Sequence, residues 1–340
     1  VPETTSTDSS TDAQTTADAP TTDAPTTTAA TLPVSGARTV LEHGPYRAEL
    51  AGVGATLRSL THDGRDLVVP FGLDEVRPLY RGALLAPWPN RVVDGSWEDD
   101  DGVERQLPIT EVERGHALHG LVQWSDWDVD AAGSEGPHRA SLVTTLAPSD
   151  GYPFRLELRA TYELGDTGLV TTVTATNVGQ GTAPYGVAPH PYLVAGEGRV
   201  DDWSLRLPAA SYLEVTDDRL VPTGVHGVTE REGFDFREAR VVGDLFVDHA
   251  FTEIEGGPDG RATVEVVAGD GRGVAMSWAV SELPWVQVHT GDRPEPELDR
   301  LGLAVEPMTC PPDAFTSGVD LVRLAPGESH TASWTIAAIS

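Results

Sequence analysis

The chain has no lysine. All 23 of its basic residues are arginine, set against 53 aspartates and glutamates, for a formal charge of -30 over 340 residues. Without lysine there is no Schiff-base amine and no phosphate-loop lysine. An acidic chain also makes a poor partner for nucleic acid or an anionic membrane, since phosphate binding needs clustered positive charge. Cys310 is the single cysteine, so neither an internal disulfide nor a cysteine-built zinc site can form. No apolar run is long enough to span a bilayer. No basic-then-apolar leader opens the sequence, and a cytoplasmic location is the expectation. The G-x-S-x-G elbow of serine hydrolases is missing, as are a fixed-period repeat and helical periodicity over three turns.

What is present begins with a tail. Residues 1-33 are almost wholly Thr, Asp, Ala, Ser and Pro, with five acids and no base. Such a segment cannot bury enough apolar surface to offset its ordering entropy. The expected organisation is a disordered acidic tail over 1-36 and one domain over 37-340. In that domain short alternating runs lie between Gly, Asp and Pro punctuation. "FRLELRATYEL" (154-164) sets Phe154, Leu156, Leu158, Ala160, Tyr162 and Leu164 on one face and charged or polar residues on the other. Period two predicts a half-buried antiparallel strand. "YRAEL" (46-50), "LVTTVTATN" (169-177), "ATVEVV" (262-267) and "WVQVHT" (285-290) follow the same pattern. The fold class expected is all-β, a large antiparallel β-sandwich.

Several polar residues sit in stiff or aromatic loops. "PYGVAPHPYL" (184-193) clamps His190 between two prolines, and "LLAPWPNRVV" (84-93) places Asn90 and Arg91 after two more. His119 precedes a glycine, Asp248 lies in "DLFVDHAFTEI" (244-254), and Trp285, Gln287 and His289 share one strand face by alternation. Glu306 falls at the end of an apolar strand, just before a proline-rich loop. Each alone has an ordinary explanation: a satisfied structural histidine, a surface ion pair, a turn-capping aspartate, a core indole. His116 and His119 in "HALH" lack the glutamate and helix of a zinc motif. "GVGATL" (52-57) lacks the third glycine of a dinucleotide fingerprint and reads as a turn. Taken together, an imidazole, carboxylates, an arginine, amides and flanking indoles suit a neutral polyhydroxylated ligand. Its hydroxyls would bond the polar groups and its apolar faces would pack on indoles.

In order along the chain, "NR" (90-91), "HG" (119-120), "HPY" (190-192), "DHAF" (248-251), "Q-x-x-T-G" (287-291) and "EPMTCPPDAF" (306-315) resemble the aldose 1-epimerase (galactose mutarotase) family. The final loop is more similar to a bacterial subgroup of less defined specificity. The resemblance implies a galactose mutarotase-like supersandwich and interconversion of the α and β anomers of a free aldose such as glucose or galactose. It implies His190 as general acid and Glu306 as general base. Arg91, His119, Asp248, Gln287 and Asn90 would bind the sugar, with no metal and no cofactor, in a monomer or homodimer. Three rivals stay open. A hexose-6-phosphate 1-epimerase would need converging arginines, for which Arg81 and Arg293 are free. A non-catalytic carbohydrate-binding protein would not need His190 and Glu306. A glycoside hydrolase would use Asp248 and Glu306 as its carboxylate pair.

The roles carry an expectation about charge. Glu306 should be ionised and His190 protonated near neutral pH, with a partner and the negative net charge raising the imidazole pKa. The tail carries another. Deleting residues 1-33 is expected to leave melting temperature and activity unchanged; a drop of several degrees would show that the tail docks.

Overall fold

A computed structural model describes residues 31-340. The tail expected to be disordered lies outside the described residues up to residue 30. Its boundary at residue 36 is late: Ser35 donates to the Leu73 carbonyl through both its amide (3.0 Å) and its hydroxyl (2.7 Å), and the Gly36 amide donates to Pro33.

Alternation builds the strands. The strand Leu156–Gly165 buries every second side chain and pairs antiparallel with Gly168–Asn177 on one side and Arg139–Leu146 on the other. These belong to a nine-stranded sheet that continues through Ser329–Ile339, Gly273–Ala279 and Arg261–Val267. A six-stranded sheet runs in the order Tyr192–Leu193, Leu303–Met308, Trp285–His289, Asp248–Ile254, Ala209–Val215, Pro222–Gly227. A four-stranded sheet opens the domain with Arg38–His43, Tyr46–Ala51 and Thr56–His62. All strand pairings in these sheets are antiparallel. Among the described residues the α-helix is confined to Ala314–Ser317. The fold is the all-β sandwich that the periodicity predicts.

The two large sheets share one core. Leu158, Val173, Trp334 and Met276 of the nine-stranded sheet cluster with Val286, Val288, Leu303, Val305 and Phe251 of the six-stranded sheet. Because strand neighbours point to opposite faces, the residues between them are turned away from that core. Gln287 and His289 lie on the far face of their strand, and Ala304, Glu306 and Met308 on the far face of theirs. The strand Leu303–Met308 is buried along its whole length, as a strand covered on both faces must be. Glu306 is therefore an interior strand residue rather than a terminal one.

Candidate active site

Register brings the polar residues together. Gln287 stands directly opposite Glu306, and Asp248 opposite His289. On the other flank Tyr192 pairs with Ala304. Continuing that antiparallel register two residues sets His190 against Glu306, and the two side chains meet with Nε2 3.4 Å from Oε1. Backbone bonds hold the histidine from both sides: its amide donates to Ala83 (3.0 Å) and its carbonyl accepts from Gly82 (2.7 Å). Gly82 has φ +68, and a Cβ there would lie 2.0 Å from the Leu57 carbonyl oxygen. The prolines on either side of His190 thus add to a tether that hydrogen bonds already make.

Asn90, Arg91 and His119 come from a second corner. Asn90 (φ 54) and His119 (φ 64) both occupy the left-handed region, a strained choice that clusters at functional sites. The His119 amide donates to the Asn90 carbonyl (2.8 Å), and Arg91 pairs with Leu118. The glycine after His119 is required: at φ +77 a Cβ on Gly120 would stand 2.1 Å from the Ala86 carbonyl oxygen. The last motif returns to brace this corner. The Asp313 amide donates to the Arg91 carbonyl (2.7 Å), and its carboxylate accepts from the Val93 amide (2.9 Å). Thr309 braces the approach to His190 in the same way, its hydroxyl accepting from the Val187 amide (2.9 Å). Thr290 does so for Asp248, accepting from the Val247 amide (3.1 Å).

All seven residues singled out from the sequence line one cavity of about 490 Å³: Asn90, Arg91, His119, His190, Asp248, Gln287 and Glu306. That volume is within the range of small-molecule sites. Within it His119 Nδ1, His190 Nδ1, Gln287 Oε1 and Glu306 Oε2 are buried without a hydrogen-bond partner. The Nε atoms of Arg114 and Arg293, which also line the cavity, are likewise unpartnered, and a ligand rich in hydroxyls can meet such atoms.

The family comparison agrees. The aldose 1-epimerase family model matches residues 38-337. The chain belongs to the aldose 1-epimerase family. It is 37% identical over 297 residues to the uncharacterized protein YihR of Escherichia coli (strain K12), covering 87% of this chain and 91% of that one. A stretch of 167 residues is 32% identical to the galactose mutarotase of Rattus norvegicus, covering 47% of this chain and 46% of the relative. Among solved structures, a GalM/aldose epimerase homologue from C. elegans superposes with TM-score 0.76 at 21% identity, covering 89% of this chain and 99% of that one. Galactose 1-epimerase from Lactobacillus acidophilus NCFM gives 0.73 at 20%, with coverage of 88% and 94%.

In this aldose 1-epimerase family member the cavity differs from the sequence reading in its aromatic lining and in the part played by Glu111. The aromatic lining is Tyr80, Tyr192 and Phe246, whereas Trp88, Trp97, Trp127 and Trp285 are buried in the cores. Trp285 also spends its indole N–H on Asp320 (2.8 Å). Glu111 is a site residue that no motif marked. It accepts two bonds from the Arg91 guanidinium (2.7 and 2.9 Å) and one from Arg114 (2.9 Å). Its own segment is polar and irregular, so only the fold reveals it. His289 also lines the cavity, as its alternation with Gln287 allows. The zinc-like pair parts: His116 is tied to the Asp94 amide and the Arg219 carbonyl, away from His119.

The charge states run against the expectation. Burial pushes His190 down to about 3, and the nearby His289 and Arg77 add to the effect. Burial pushes Glu306 well above the usual carboxylate range, and the Asp248 charge reinforces it against the pull of Arg91. The negative field of a -30 chain does not reach an imidazole this enclosed, because desolvation and the cations at hand are stronger. Asp248 is the carboxylate kept ionised: burial opposes its charge, but His289, Arg91 and a 2.6 Å bond from Gln287 Nε2 prevail. Both shifts favour the neutral imidazole beside a protonated Glu306.

A stability consequence follows. An unfolded glutamate ionises from about pH 4.3, while the folded Glu306 keeps its proton. Above that pH the native state binds more protons than the unfolded chain, so stability falls with rising pH until the folded group ionises. Glu306→Gln removes this loss. Urea denaturation should find the variant increasingly more stable than the parent above about pH 4.3, by up to about 1.4 kcal/mol per pH unit. A gap that stays constant between pH 4.5 and 7.5 would show that Glu306 ionises normally.

Proposed function

We propose that the protein is a mutarotase, interconverting the α and β anomers of an aldose by acid–base ring opening. The observation that carries this reading is the buried His190–Glu306 pair at 3.4 Å, set in a cavity several of whose polar atoms lack partners. Ring opening takes the proton from the anomeric hydroxyl while the ring oxygen receives one. Rotation about C1–C2 turns the aldehyde, and closure reverses both transfers. The reaction needs one acceptor and one donor, and leaves the pair's proton count unchanged. A pair that holds one proton supplies both in either of its two arrangements.

Burial places the proton on Glu306 before sugar binds. A sugar hydroxyl donating to Glu306 favours its carboxylate form, and the proton then passes to His190 Nε2 across 3.4 Å. Glu306 is then the base for the anomeric hydroxyl and His190 the acid for the ring oxygen. Asp248, with Gln287 and Arg91 fixing its orientation, accepts from sugar hydroxyls, and the Arg91 guanidinium donates to them while Glu111 holds it flat. His119, kept neutral by burial, offers its unpartnered Nδ1. The reading needs neither metal nor organic cofactor. A binding protein without catalysis leaves the desolvated pair unexplained.

Two measurements test the roles. Anomer exchange of glucose and galactose, followed by two-dimensional NMR exchange or polarimetry, should lose about 10²-fold or more in kcat for Glu306→Gln and for His190→Asn. Retention of near-full exchange by either variant would sink its assignment. The pH profile is the second. The pair titrates as a unit, active while it carries one proton. Its acid limb should lie far below the ordinary imidazole value, following the downward shift of His190 to about 3. The alkaline limb should follow the raised Glu306 and vanish from the residual activity of Glu306→Gln. An acid limb near pH 6.5 would show an ordinary, solvated histidine instead.

A further inference from the structure

Among the described residues lining the cavity, Arg293 is a cation with no carboxylate ion pair. Its Nε is buried without a hydrogen-bond partner. The acids nearest in sequence are committed elsewhere. Asp292 is held by Arg300 (2.7 Å) and by Thr290, and Asp299 accepts from the Arg293 amide (2.8 Å) rather than from its guanidinium. Arg81 is close enough for the two charges to oppose each other, and its Nε is likewise buried and unpartnered. Its bond goes to the Pro70 carbonyl (3.4 Å), while the nearest acid, Glu75, accepts from the Gly72 amide (2.9 Å). By contrast, Arg91 at the other corner is gripped by Glu111. A buried guanidinium (Arg81) beside a half-buried one (Arg293), neither in a carboxylate ion pair among the described residues, is an arrangement that a bound anion relieves.

The position of this charge bears on which end of a sugar it meets. Arg293 sits against the phenol of Tyr192, and the Tyr192 ring lies 5.3 Å from the His190 ring. On the reading above, His190 serves the ring oxygen of a pyranose. That oxygen is bonded to C5, which carries the C6 substituent. A sugar whose C6 end lies on the Tyr192 side, rather than toward His119 at 5.0 Å, sets its C6 substituent against Arg293.

We propose that the aldose turned over here carries an anionic group at C6, a phosphate, sulfonate or carboxylate, bound by Arg293 with Arg81 behind it. The neutral hydroxyls of such a sugar still meet Asp248, Gln287 and Arg91. This inference rests on the mutarotase reading, and glucose itself is the control that separates the two. The anion-specific preference expected is about tenfold or more in kcat/KM, the scale of a charge-assisted hydrogen bond in a part-buried site.

The experiment measures anomer exchange by two-dimensional NMR for glucose, glucuronate, glucose 6-phosphate and 6-deoxy-6-sulfoglucose, with the parent and with Arg293→Met. At least one anionic sugar should exceed glucose by about tenfold, and which one does so identifies the oxyanion. The advantage should shrink as salt is raised. In Arg293→Met the anionic-to-neutral ratio should collapse toward one, mainly through KM. Glucose equal to or better than all three anions, or a ratio unchanged by the substitution, would overturn the proposal. Should no sugar exchange faster than in buffer, the mutarotase reading fails. Calorimetry then decides the anion site: tighter binding of an anionic sugar than of glucose, lost in Arg293→Met, supports it, and equal binding refutes it.

Discussion

The site depends on one register. Tyr192 opposite Ala304 fixes how the strand carrying Glu306 lies against the segment carrying His190. A slip of one residue would turn Glu306 into the sandwich core and Val305 toward the cavity, since side chains alternate with a period of two. The slip is prevented by the opposite face: Leu303 and Val305 pack with Val286 and Val288 in the main core. The hydrophobic pattern of the core therefore holds the chemistry of the far face in place. Three neighbouring strands carry that arrangement onward, so that Glu306, Gln287, His289 and Asp248 form a continuous polar patch on an otherwise apolar sheet.

Two properties mark the patch: burial, and a sorting of its charges. Desolvation alone would neutralise every carboxylate in it. Asp248 escapes through His289, Arg91 and the Gln287 amide, while Glu306 has fewer cations at hand and faces the Asp248 charge besides. Two carboxyl groups in one cavity are thereby driven to different protonation states, the condition under which one fold can supply both an acid and a base. Arg91 is central to this sorting. Glu111 grips it through two parallel bonds, and its remaining positive field still bears on Asp248. A lysine could not be held flat in this way.

Much of this was legible in the sequence, for identifiable reasons. Strict alternation in 154-164 announces its strand because one face is solvated, and the mixed runs at 46-50, 169-177 and 262-267 do so as well. The strand Leu303–Met308 is harder to read, since burial on both faces erases the alternation that would mark it. The seven site residues were visible through stiff local settings: proline on both sides of His190, glycine after His119, apolar flanks around Asp248. Glu111 had no such setting, and its part is decided by a contact twenty residues away. The tryptophans misled because an indole in a motif reads equally as ligand platform or core, and here the core takes four of them. The charge state of His190 was misjudged for a related reason. Net charge is a sum over the surface, whereas a buried imidazole answers to its own desolvation and the few cations beside it.

The missing lysines return at this point. Every fixed cation in the chain is a guanidinium, whose charge survives conditions that would discharge an amine. Arg77 shows the margin. It is buried against Thr56 and the Gln123 carbonyl beneath the Trp124 ring, without a carboxylate, and burial lowers it only to about 10. It stays charged at neutral pH and is one of the groups that keep His190 unprotonated. Arg77, Arg81 and Arg293 together give this flank of the cavity a positive field inside a strongly negative protein. The outer acidity is screened by solvent ions over about 8 to 10 Å at physiological salt, while the inner field acts through a low-dielectric wall. An anion entering the cavity would offset that field at its source, and the same step would ease the protonation of His190 that the proposed ring opening requires.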